Sequence, residues 1–312
     1  MIQQYIDKLI ENLPETLKNK KTPLQLDLVL DGGVFNGSYL IGALYFLKEM
    51  EKRNYIKIDR ISGCSIGSLC ALLYFLGELD MVTDIYSILT RDLRENHHIN
   101  KLKEIGLLLN NKIPENICEK INNKLYISFY NLKTKKKIVK NHFLSKEEVI
   151  DVIIRSCFVP FFIDGSLCYK NKYIDGMNPY LFTFKDNFKT DKKNKKTLYL
   201  DLFGYDKIFH LFNVKNEKTN FHRILSGLLD VHNFFIKNSS TAMCSYTENW
   251  SIIHWLHHYQ KIVIEYFFIN ILSLILFFKY FLNKERMDCF FCRFLSKIFY
   301  EFYILVMDTY FL

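Results

Sequence analysis

A serine stands between two glycines in the pentapeptide Gly63–Gly67, which reads G-C-S-I-G. The residues before it, from Ile58, alternate apolar and polar as a short strand does, and the apolar run after it has helical character. A strand, a tight turn with Ser65 at its apex and a helix form the context in which G-x-S-x-G is a nucleophile elbow. Glycine permits the sharp turn, and the helix places free N–H groups beside Ser65. The pattern predicts covalent catalysis by a serine.

A nucleophilic serine needs N–H donors for the oxyanion and a base for its own proton. The loop Asp31–Gly37, which reads D-G-G-V-F-N-G, follows a predicted buried strand over Leu24–Leu30 and precedes an apolar helix. N–H groups at such a junction are free to converge on an anion, either an oxyanion or a phosphate. Because the glycine spacing fits neither a dinucleotide fingerprint nor a Walker A motif, the pattern favours the oxyanion.

Two kinds of residue could act as the base. An α/β-hydrolase would place an acid and then a histidine after its serine, but the late histidines lie in aromatic helical segments, where we interpret them as packing or interfacial residues. These histidines are His210, His222, His232, His254, His257 and His258. An aspartate is the alternative, because Asp175-Gly176 ends a short predicted strand. Asp164-Gly165 is a second such pair, and Asp-Gly is a common turn.

Together, these segments resemble the patatin-like phospholipases. The loop that ends at Gly37 is similar to the family's glycine-rich oxyanion loop, and the pentapeptide around Ser65 matches its G-x-S-x-G. Ser156-Cys-Phe-Val-Pro160 resembles its S-x-x-x-P segment, and Asp175-Gly176 resembles the pair that supplies its catalytic aspartate. The resemblance extends from about residue 24 to residue 203. It selects Asp175 over the other aspartate, because Asp175 follows the proline segment at the family's distance.

The resemblance implies a three-layer α/β/α fold with a mostly parallel central sheet. It also implies a Ser–Asp dyad that acts on acyl esters of lipids without a metal or cofactor. Ser65 would be the nucleophile and Asp175 the base, and water would hydrolyse the acyl-enzyme. The implied oxyanion donors are the N–H groups of Gly32, Gly33 and Val34. The implied supporting residues of the elbow and loops are Gly37, Gly63, Gly67 and Gly176.

Three positions depart from the family pattern. Val34 replaces a usual third glycine, Asn36 a frequent basic residue, and Met177 a glycine or alanine. A β-branched residue resists positive φ, so Val34 is expected to narrow the loop or reorient a donor. Losing one oxyanion donor costs about 100- to 1000-fold in rate, and Asn36 removes a charge. The alternatives to a lipid acyl hydrolase are therefore a weak or inactive membrane or scaffold protein of the same fold, and an esterase or thioesterase.

The rest of the chain predicts three regions: an amphipathic helix in residues 1–23, a catalytic domain over 24–206, and a helical, aromatic-rich region over 207–312. Apolar spacing predicts one helix over residues 1–20 and a hairpin over 124–143. Two short strands are predicted within residues 157–180. Thr197–Phe203 is predicted to be the last strand of the sheet.

Two apolar segments, 262–282 and 289–312, are candidates for membrane association. The 17 apolar residues of Ile262–Phe278 would be about 25 Å long as a helix, near the lower limit for spanning a bilayer. Glu265 and Asn270 would be unfavourable in hydrocarbon. A spanning helix or hairpin, an interfacial helix and a buried core helix all remain open.

The net charge of +9 is concentrated in Lys133–Lys140 and Asp191–Lys196. These runs fit solvated loops or attraction to an anionic membrane, and no reader motif for nucleic acid accompanies them. The eight cysteines are scattered, and Cys289-x-x-Cys292 lacks the further ligands of a zinc site. The N-terminus lacks the apolar core of a signal peptide. We therefore expect an intracellular, membrane-associated protein whose substrate is a membrane phospholipid or another acyl-ester lipid.

Overall fold

The computed structural model describes residues 2–19, 21–182, 195–204, 207, 210–215, 217–281 and 290–312. Parts of three predicted features lie outside these residues. They are most of the basic run Asp191–Lys196, Cys289 of the C-x-x-C pair, and the end of the apolar segment 262–282.

In the described part of the chain, seven strands form one mixed sheet. They are β1 (Leu24–Leu30), β2 (Ile56–Cys64), β3 (Leu125–Asn131), β4 (Lys136–Lys140), β5 (Tyr173–Asp175), β6 (Lys196–Leu200) and β7 (Cys244–Tyr246). Their order is β4-β3-β2-β1-β6-β7, and β5 pairs with β3. The central strands β3, β2, β1 and β6 are parallel, whereas β4, β5 and β7 pair antiparallel with their neighbours. The predicted α/β fold with a mostly parallel sheet is confirmed.

Helices alternate with the strands and flank the sheet. They are α1 (Ile2–Glu11), α2 (Glu15–Lys18), α3 (Gly37–Lys52), α4 (Ile66–Leu76), α5 (Met81–Asn96), α6 (Leu102–Lys112), α7 (Ile117–Ile121), α8 (Lys146–Ser156), α9 (Phe221–Lys237), α10 (Ile252–Phe281) and α11 (Phe290–Val306).

The core lies between the central strands and helices α3, α4 and α9. Leu28, Val29 and Leu30 of β1, whose side chains point to alternate faces of the sheet, are fully buried, as expected for a parallel strand covered on both faces. Helix α9 packs so closely on α3 that a Cβ on Gly42 would lie 1.8 Å from the carbonyl oxygen of Ile224. This dense packing makes the sheet a rigid support for the loops at its edge.

Three details of the prediction are wrong. Pro14 separates α1 from α2, because proline lacks the N–H that would continue the first helix. Strand β7 follows the segment predicted to be last in the sheet, and its three residues are too few to show a periodic pattern. Between residues 157 and 180 only Tyr173–Asp175 forms a strand, since a turn occupies the other expected strand. The predicted hairpin is confirmed as β3 and β4.

Beyond α9 and β7, which belong to the core and the sheet, the described C-terminal region contains the long helices α10 and α11. By length and composition, the part of α10 from Ile252 to Phe278 could cross a membrane, and no other described helix meets these criteria. After α11 the chain packs back against earlier segments, where Met307 is buried in a cluster with Phe35 and Val214. The Tyr303 hydroxyl at the end of α11 bonds to the carbonyl oxygen of His97. The last residues of the chain are thus packed near the glycine-rich loop.

Candidate active site

Ser65 lies at the junction of β2 and α4 in a strained backbone conformation, with φ 50° and ψ −134°. Its N–H donates to Ser156 Oγ at 2.9 Å, and that hydroxyl donates to the carbonyl oxygen of Ser128 at 2.7 Å. A Cβ on either Gly63 or Gly67 would lie within 2.6 Å of a backbone oxygen. The turn therefore requires glycine on both sides of the serine, and the hydroxyl of Ser156 holds the elbow in place.

Strand β5, which ends at Asp175, approaches the elbow at Ser65 from the direction opposite to that of β2. Ser128 of β3 pairs with Cys64, the last residue of β2, and the next residue, Phe129, pairs with Asp175. Because β4 occupies the other edge of β3, strands β2 and β5 lie end to end along one edge. Gly176 completes the junction, since a Cβ there would lie 2.1 Å from the carbonyl oxygen of Ser128. Register and a close backbone approach thus bring Ser65 and Asp175 together.

The Asp175 carboxyl is buried, and burial raises its pKa to about 6. Its Oδ1 accepts a hydrogen bond from the Met177 N–H at 2.7 Å, whereas Oδ2 has no partner with normal geometry among the described residues. The Ser65 hydroxyl lies close enough to lower the pKa of Asp175, which opposes the larger effect of burial. Catalytic hydrogen bonds often tighten only when substrate is present. A carboxylate withheld from water in this way is a stronger base than a solvated one.

The other residues considered as bases make contacts of a structural kind. Asp164 is exposed, and its Oδ1 accepts a hydrogen bond from the Ser166 N–H at 3.0 Å, which closes a turn. His254 bonds to the Ser251 hydroxyl at the start of α10. His258 packs against the ring of Trp250. His222 Nε2 and His257 Nε2 lie 3.3 Å and 3.8 Å from carboxylate oxygens of Glu217 and Asp201, so the packing role of the late histidines stays a prediction.

The glycine-rich loop passes directly beside Ser65. A Cβ on Gly32 would lie 3.2 Å from the Cβ of Ser65. The Gly32 N–H donates to Asp31 Oδ1 at 3.0 Å, so this expected oxyanion donor is already engaged. Among the described residues, the N–H groups of Gly33 and Val34 have no hydrogen-bond partner. Two of the three expected donors are therefore available to an anion.

Two departures from the family pattern occur at positions with positive φ. Val34 has φ 44° and Met177 has φ 53°. Such conformations disfavour residues with a Cβ, a β-branched residue most of all, and each costs about 1–3 kcal/mol. The Met177 N–H binds Asp175, and the Met177 carbonyl oxygen accepts from Cys64 Sγ at 3.3 Å. The strain at Met177 therefore lies in the segment that holds the Asp175 carboxyl.

A positive charge lies next to the loop although residue 36 is uncharged. Asn36 is fully buried, and its Oδ1 accepts from Arg223 Nη1 at 2.9 Å. Arg223, also fully buried, donates to Glu217 Oε1 at 2.8 Å and to the carbonyl oxygens of His210 and Asn213. Sequence reasoning missed this guanidinium because it comes from α9, 187 residues further along the chain.

Helix α10 supplies two further charged groups. Lys261 Nζ lies 2.9 Å from Asp31 Oδ2 and 2.8 Å from Asp201 Oδ1. Burial raises the pKa of Asp31 to about 6, and the Lys261 ammonium acts in the opposite direction. Glu265 Oε2 accepts from Asn178 Nδ2 at 2.7 Å. From the sequence alone, Glu265 stands out only as a charged residue that would be unfavourable in the hydrocarbon of a membrane.

The site thus combines a serine in an elbow, a buried carboxyl group beside it and two available N–H groups. This set of groups can support acyl transfer through a covalent intermediate. Within the described ranges, no three His, Cys, Asp or Glu side chains are grouped so that they could hold a metal ion.

Val34→Gly should be more stable than Val34→Ala, by about 1 kcal/mol. At an ordinary helix or strand position alanine is favoured by about 0.5–1 kcal/mol. At φ 44° alanine retains the Cβ clash and glycine does not, so the order should reverse. Urea unfolding of the two variants measures the difference. The same pair of changes at exposed Leu107 in α6 is the control and should show the usual order. Greater stability of the alanine variant at residue 34 would contradict a strained loop.

Asp175→Asn should stabilise the protein at pH 7 but not near pH 4. The pKa of Asp175 is about 6 in the folded protein, against an ordinary value of 3.8, so the unfolded chain loses this proton first as the pH rises. The wild type therefore loses stability between about pH 4 and pH 6, by on the order of 1–3 kcal/mol. The asparagine variant has no such carboxyl. Denaturant unfolding across this pH range measures the difference, with Asp164→Asn as an exposed control. A difference between wild type and Asp175→Asn that does not change with pH would refute the buried carboxylate.

Comparison with known proteins extends the resemblance seen in the sequence. The 1-acylglycerol-3-phosphate O-acyltransferase Pnpla3 of Mus musculus is 29% identical over 137 residues, which cover 41% of this chain and 33% of that protein. The omega-hydroxyceramide transacylase of Homo sapiens is 26% identical over 155 residues, which cover 46% of this chain and 29% of that protein. This chain therefore spans a third or less of the length of these curated relatives.

A family model described as patatin-like phospholipase matches residues 28–191, more than half of the chain. The matched segment includes the glycine-rich loop, the elbow at Ser65 and the turn at Asp175. The family model is described as a phospholipase, and the two relatives above are named as an acyltransferase and a transacylase. The chain belongs to the patatin-like phospholipase family.

Proposed function

We propose that this protein is a serine lipid acyl hydrolase in which Ser65 is the nucleophile and Asp175 the base. The observation that supports it best is the junction of β2 and β5, which brings a buried carboxyl group to a serine elbow. The pKa of about 6 leaves Asp175 mostly ionised near neutral pH and yet basic enough to accept a proton.

In the proposed reaction, Ser65 Oγ attacks the ester carbonyl carbon while Asp175 accepts the serine proton. The N–H groups of Gly33 and Val34 stabilise the oxyanion that forms. When the carbon–oxygen bond of the alcohol breaks, the proton on Asp175 passes to the leaving oxygen and an acyl-Ser65 ester remains. Asp175 then accepts a proton from water, whose oxygen attacks the acyl group. When the bond between the acyl carbon and Ser65 Oγ breaks, this proton passes from Asp175 to Ser65 Oγ and the fatty acid is released.

A second candidate is acyl transfer to another lipid. It is favoured by the comparisons, because the two relatives above are named as an acyltransferase and a transacylase. Both activities would use the same acyl-Ser65 ester, and they differ only in whether water or a lipid hydroxyl attacks it. Exclusion of water from the acyl-enzyme would favour transfer. An esterase or thioesterase acting on soluble substrates would share the same intermediate.

We further propose that the protein binds a membrane surface through the outer face of α10. This face is exposed and strongly apolar, unlike the surface of an ordinary monomeric domain. Its most exposed large side chains are Ile252, Ile253, Leu256, Tyr259, Val263, Ile264, Tyr266, Phe267, Leu274 and Phe277. The exposed turn between β3 and β4 lies beside the helix, where Lys135 Nζ is 3.1 Å from Asn270 Oδ1. An apolar face with neighbouring lysines fits an interfacial helix on an anionic membrane.

Ser65→Ala and Asp175→Asn should each lower the hydrolysis of phospholipid in vesicles by at least about 1000-fold, because the serine and its base act as a unit. Asp164→Asn is the matched control and should retain wild-type activity. The rate of wild type should fall as the pH drops below about 6, because protonated Asp175 cannot accept the serine proton. Fatty acid released in the presence of a chelator is the measurement.

An acceptor lysolipid added to the same assay distinguishes hydrolysis from transfer. Free fatty acid as the main product supports hydrolysis, and newly acylated acceptor supports transfer. Activity that survives in Ser65→Ala would exclude the proposed nucleophile. Inactivity of the wild type on vesicles and on short-chain esters and thioesters would favour the non-catalytic alternative.

Val263→Ser with Phe267→Ser should weaken binding to vesicles of mixed neutral and anionic phospholipid by about 10-fold or more, because each change removes apolar area from the bilayer contact. Both side chains are about two-thirds exposed and lie one turn apart on α10. Leu107→Ser on α6 is the control, since Leu107 is 67% exposed and Phe267 68%. Co-sedimentation with vesicles measures the binding. Equal binding by the double variant and wild type would place the membrane contact elsewhere.

A further inference from the structure

Helix α10 presents two very different faces. Its outer face is apolar and exposed, whereas Lys261, Glu265, Ile269 and Leu272 follow one another at helical spacing along the face that packs on the catalytic domain. Ile269 and Leu272 lie in an apolar cluster that includes Ile174 of β5. The two charged residues are one turn apart, and each contacts a different loop of the candidate site.

Lys261 acts on the glycine-rich loop through Asp31. Its ammonium group contacts one oxygen of the Asp31 carboxylate at 2.9 Å, and the other oxygen accepts the Gly32 N–H at 3.0 Å. Asp31 is fully buried, so it depends on this cation and on the Tyr199 hydroxyl, which donates at 3.1 Å. The contact engages the Gly32 N–H and thereby restrains the peptide planes that follow it. These planes carry the N–H groups of Gly33 and Val34.

Glu265 acts on the turn after Asp175. One of its carboxylate oxygens accepts from Asn178 Nδ2 at 2.7 Å, and the other accepts from Lys137 Nζ at 3.1 Å. Asn178 is itself buried, and its N–H bonds to the carbonyl oxygen of Gly176 at 2.6 Å. The contact therefore holds the short turn in which the Met177 N–H binds the Asp175 carboxylate.

We propose that α10 completes the candidate active site, with Lys261 and Glu265 as positioning residues for the oxyanion loop and for the Asp175 turn. The catalytic unit then extends beyond α9 and β7 to include α10. The consequence for catalysis rests on the proposed function, but the positioning of the two loops does not.

The free-energy cost of an unpaired buried charge predicts that the contacts of Lys261 and of Glu265 act independently. Removing one member of a buried ion pair leaves the other member without a counter-charge in a medium that solvates it poorly. Lys261→Met would leave Asp31 in this state and release its hydrogen bond to Gly32. Glu265→Gln would replace the charge-assisted hydrogen bond from Asn178, which holds the Asp175 turn, by a weaker neutral one, and it would leave the partly exposed Lys137 without its counter-charge. Each change should therefore loosen its own loop and spare the other, which a general loss of stability would not do.

Hydrogen–deuterium exchange of the whole 312-residue chain tests the positioning directly. Lys261→Met should increase exchange at least about 10-fold in residues 31–36 and leave residues 175–178 unchanged, and Glu265→Gln should do the reverse. The matched controls are Lys112→Met and Glu119→Gln, which change exposed residues elsewhere. Lys261→Arg should keep the wild-type pattern because it retains the charge. If Lys261→Met does not fold, Lys261→Gln is measured by the same criteria.

The rate on a monomeric short-chain ester supplies a second readout that does not involve membrane binding. Both variants should lower kcat about 10- to 100-fold with little change in KM, because small displacements of catalytic groups act on the transition state. Lys261→Met combined with Asp31→Asn should be no slower than the slower single variant, since both changes act on one contact. An additive loss would overturn the route through Asp31.

The pH dependence of the reaction rate distinguishes the role of Glu265 from that of Lys261. Glu265, Lys137, the thiols of Cys64 and Cys157, the Ser65 hydroxyl and the Met177 N–H surround the Asp175 carboxyl. Glu265 raises the pKa of Asp175, so Glu265→Gln should shift the acid limb of the rate to lower pH. Lys261→Met should leave this limb in place.

The outcomes distinguish this inference from the proposed function. Selective loosening of the two loops in a protein inactive on every ester supports the positioning and rejects the hydrolase. An active wild type whose loops exchange equally in all variants supports the hydrolase and overturns the positioning. A general increase of exchange throughout the chain in either variant would also overturn it, because it would show only a loss of stability.

Discussion

The carbonyl oxygen of Ser128 fixes the point at which the two halves of the site meet. This oxygen accepts a hydrogen bond from the Ser156 hydroxyl, and the Ser156 hydroxyl accepts one from the Ser65 N–H. The backbone of Gly176 passes so close to the same oxygen that a Cβ on Gly176 would lie 2.1 Å from it. The elbow and the turn after Asp175 are therefore both positioned from one atom of β3. Because β3 is hydrogen-bonded on both edges within the sheet, this atom is a rigid reference for a geometry that must be accurate to a fraction of an ångström.

Several features around this point are unfavourable for the folded state by themselves. Ser65, Val34 and Met177 have positive φ, and Asp31 and Asp175 are carboxyl groups buried in a region where ionisation is disfavoured. Strain and buried charge of this kind persist only where the surrounding structure over-determines them. The packing of α3 and α9 on the sheet supplies that support. Val34 and Met177 also show that the chain departs from the family's small residues at positions where the backbone needs them most.

The elements that carry the site could be predicted because their signals are local. Strand, glycine turn and helix follow one another around Ser65, and the order of the motifs separated Asp175 from Asp164. Arg223 and Lys261 could not be found in this way, since their partners Asn36 and Asp31 lie 187 and 230 residues away. No periodic pattern links residues at such separations, so only the folded chain brings them together.

The charged residues within the apolar C-terminal helix show how one sequence signal can carry two meanings. In a membrane-spanning helix, Glu265 would be a cost, because a carboxylate has no solvation in hydrocarbon. In the folded protein it lies against Asn178 and Lys137, and Lys261 lies against Asp31. A helix that crossed the bilayer would have to give up these contacts and leave Asp31 buried without its cation. The two arrangements therefore exclude each other, and the inward contacts favour the proposed interfacial position of the helix over a membrane-spanning one.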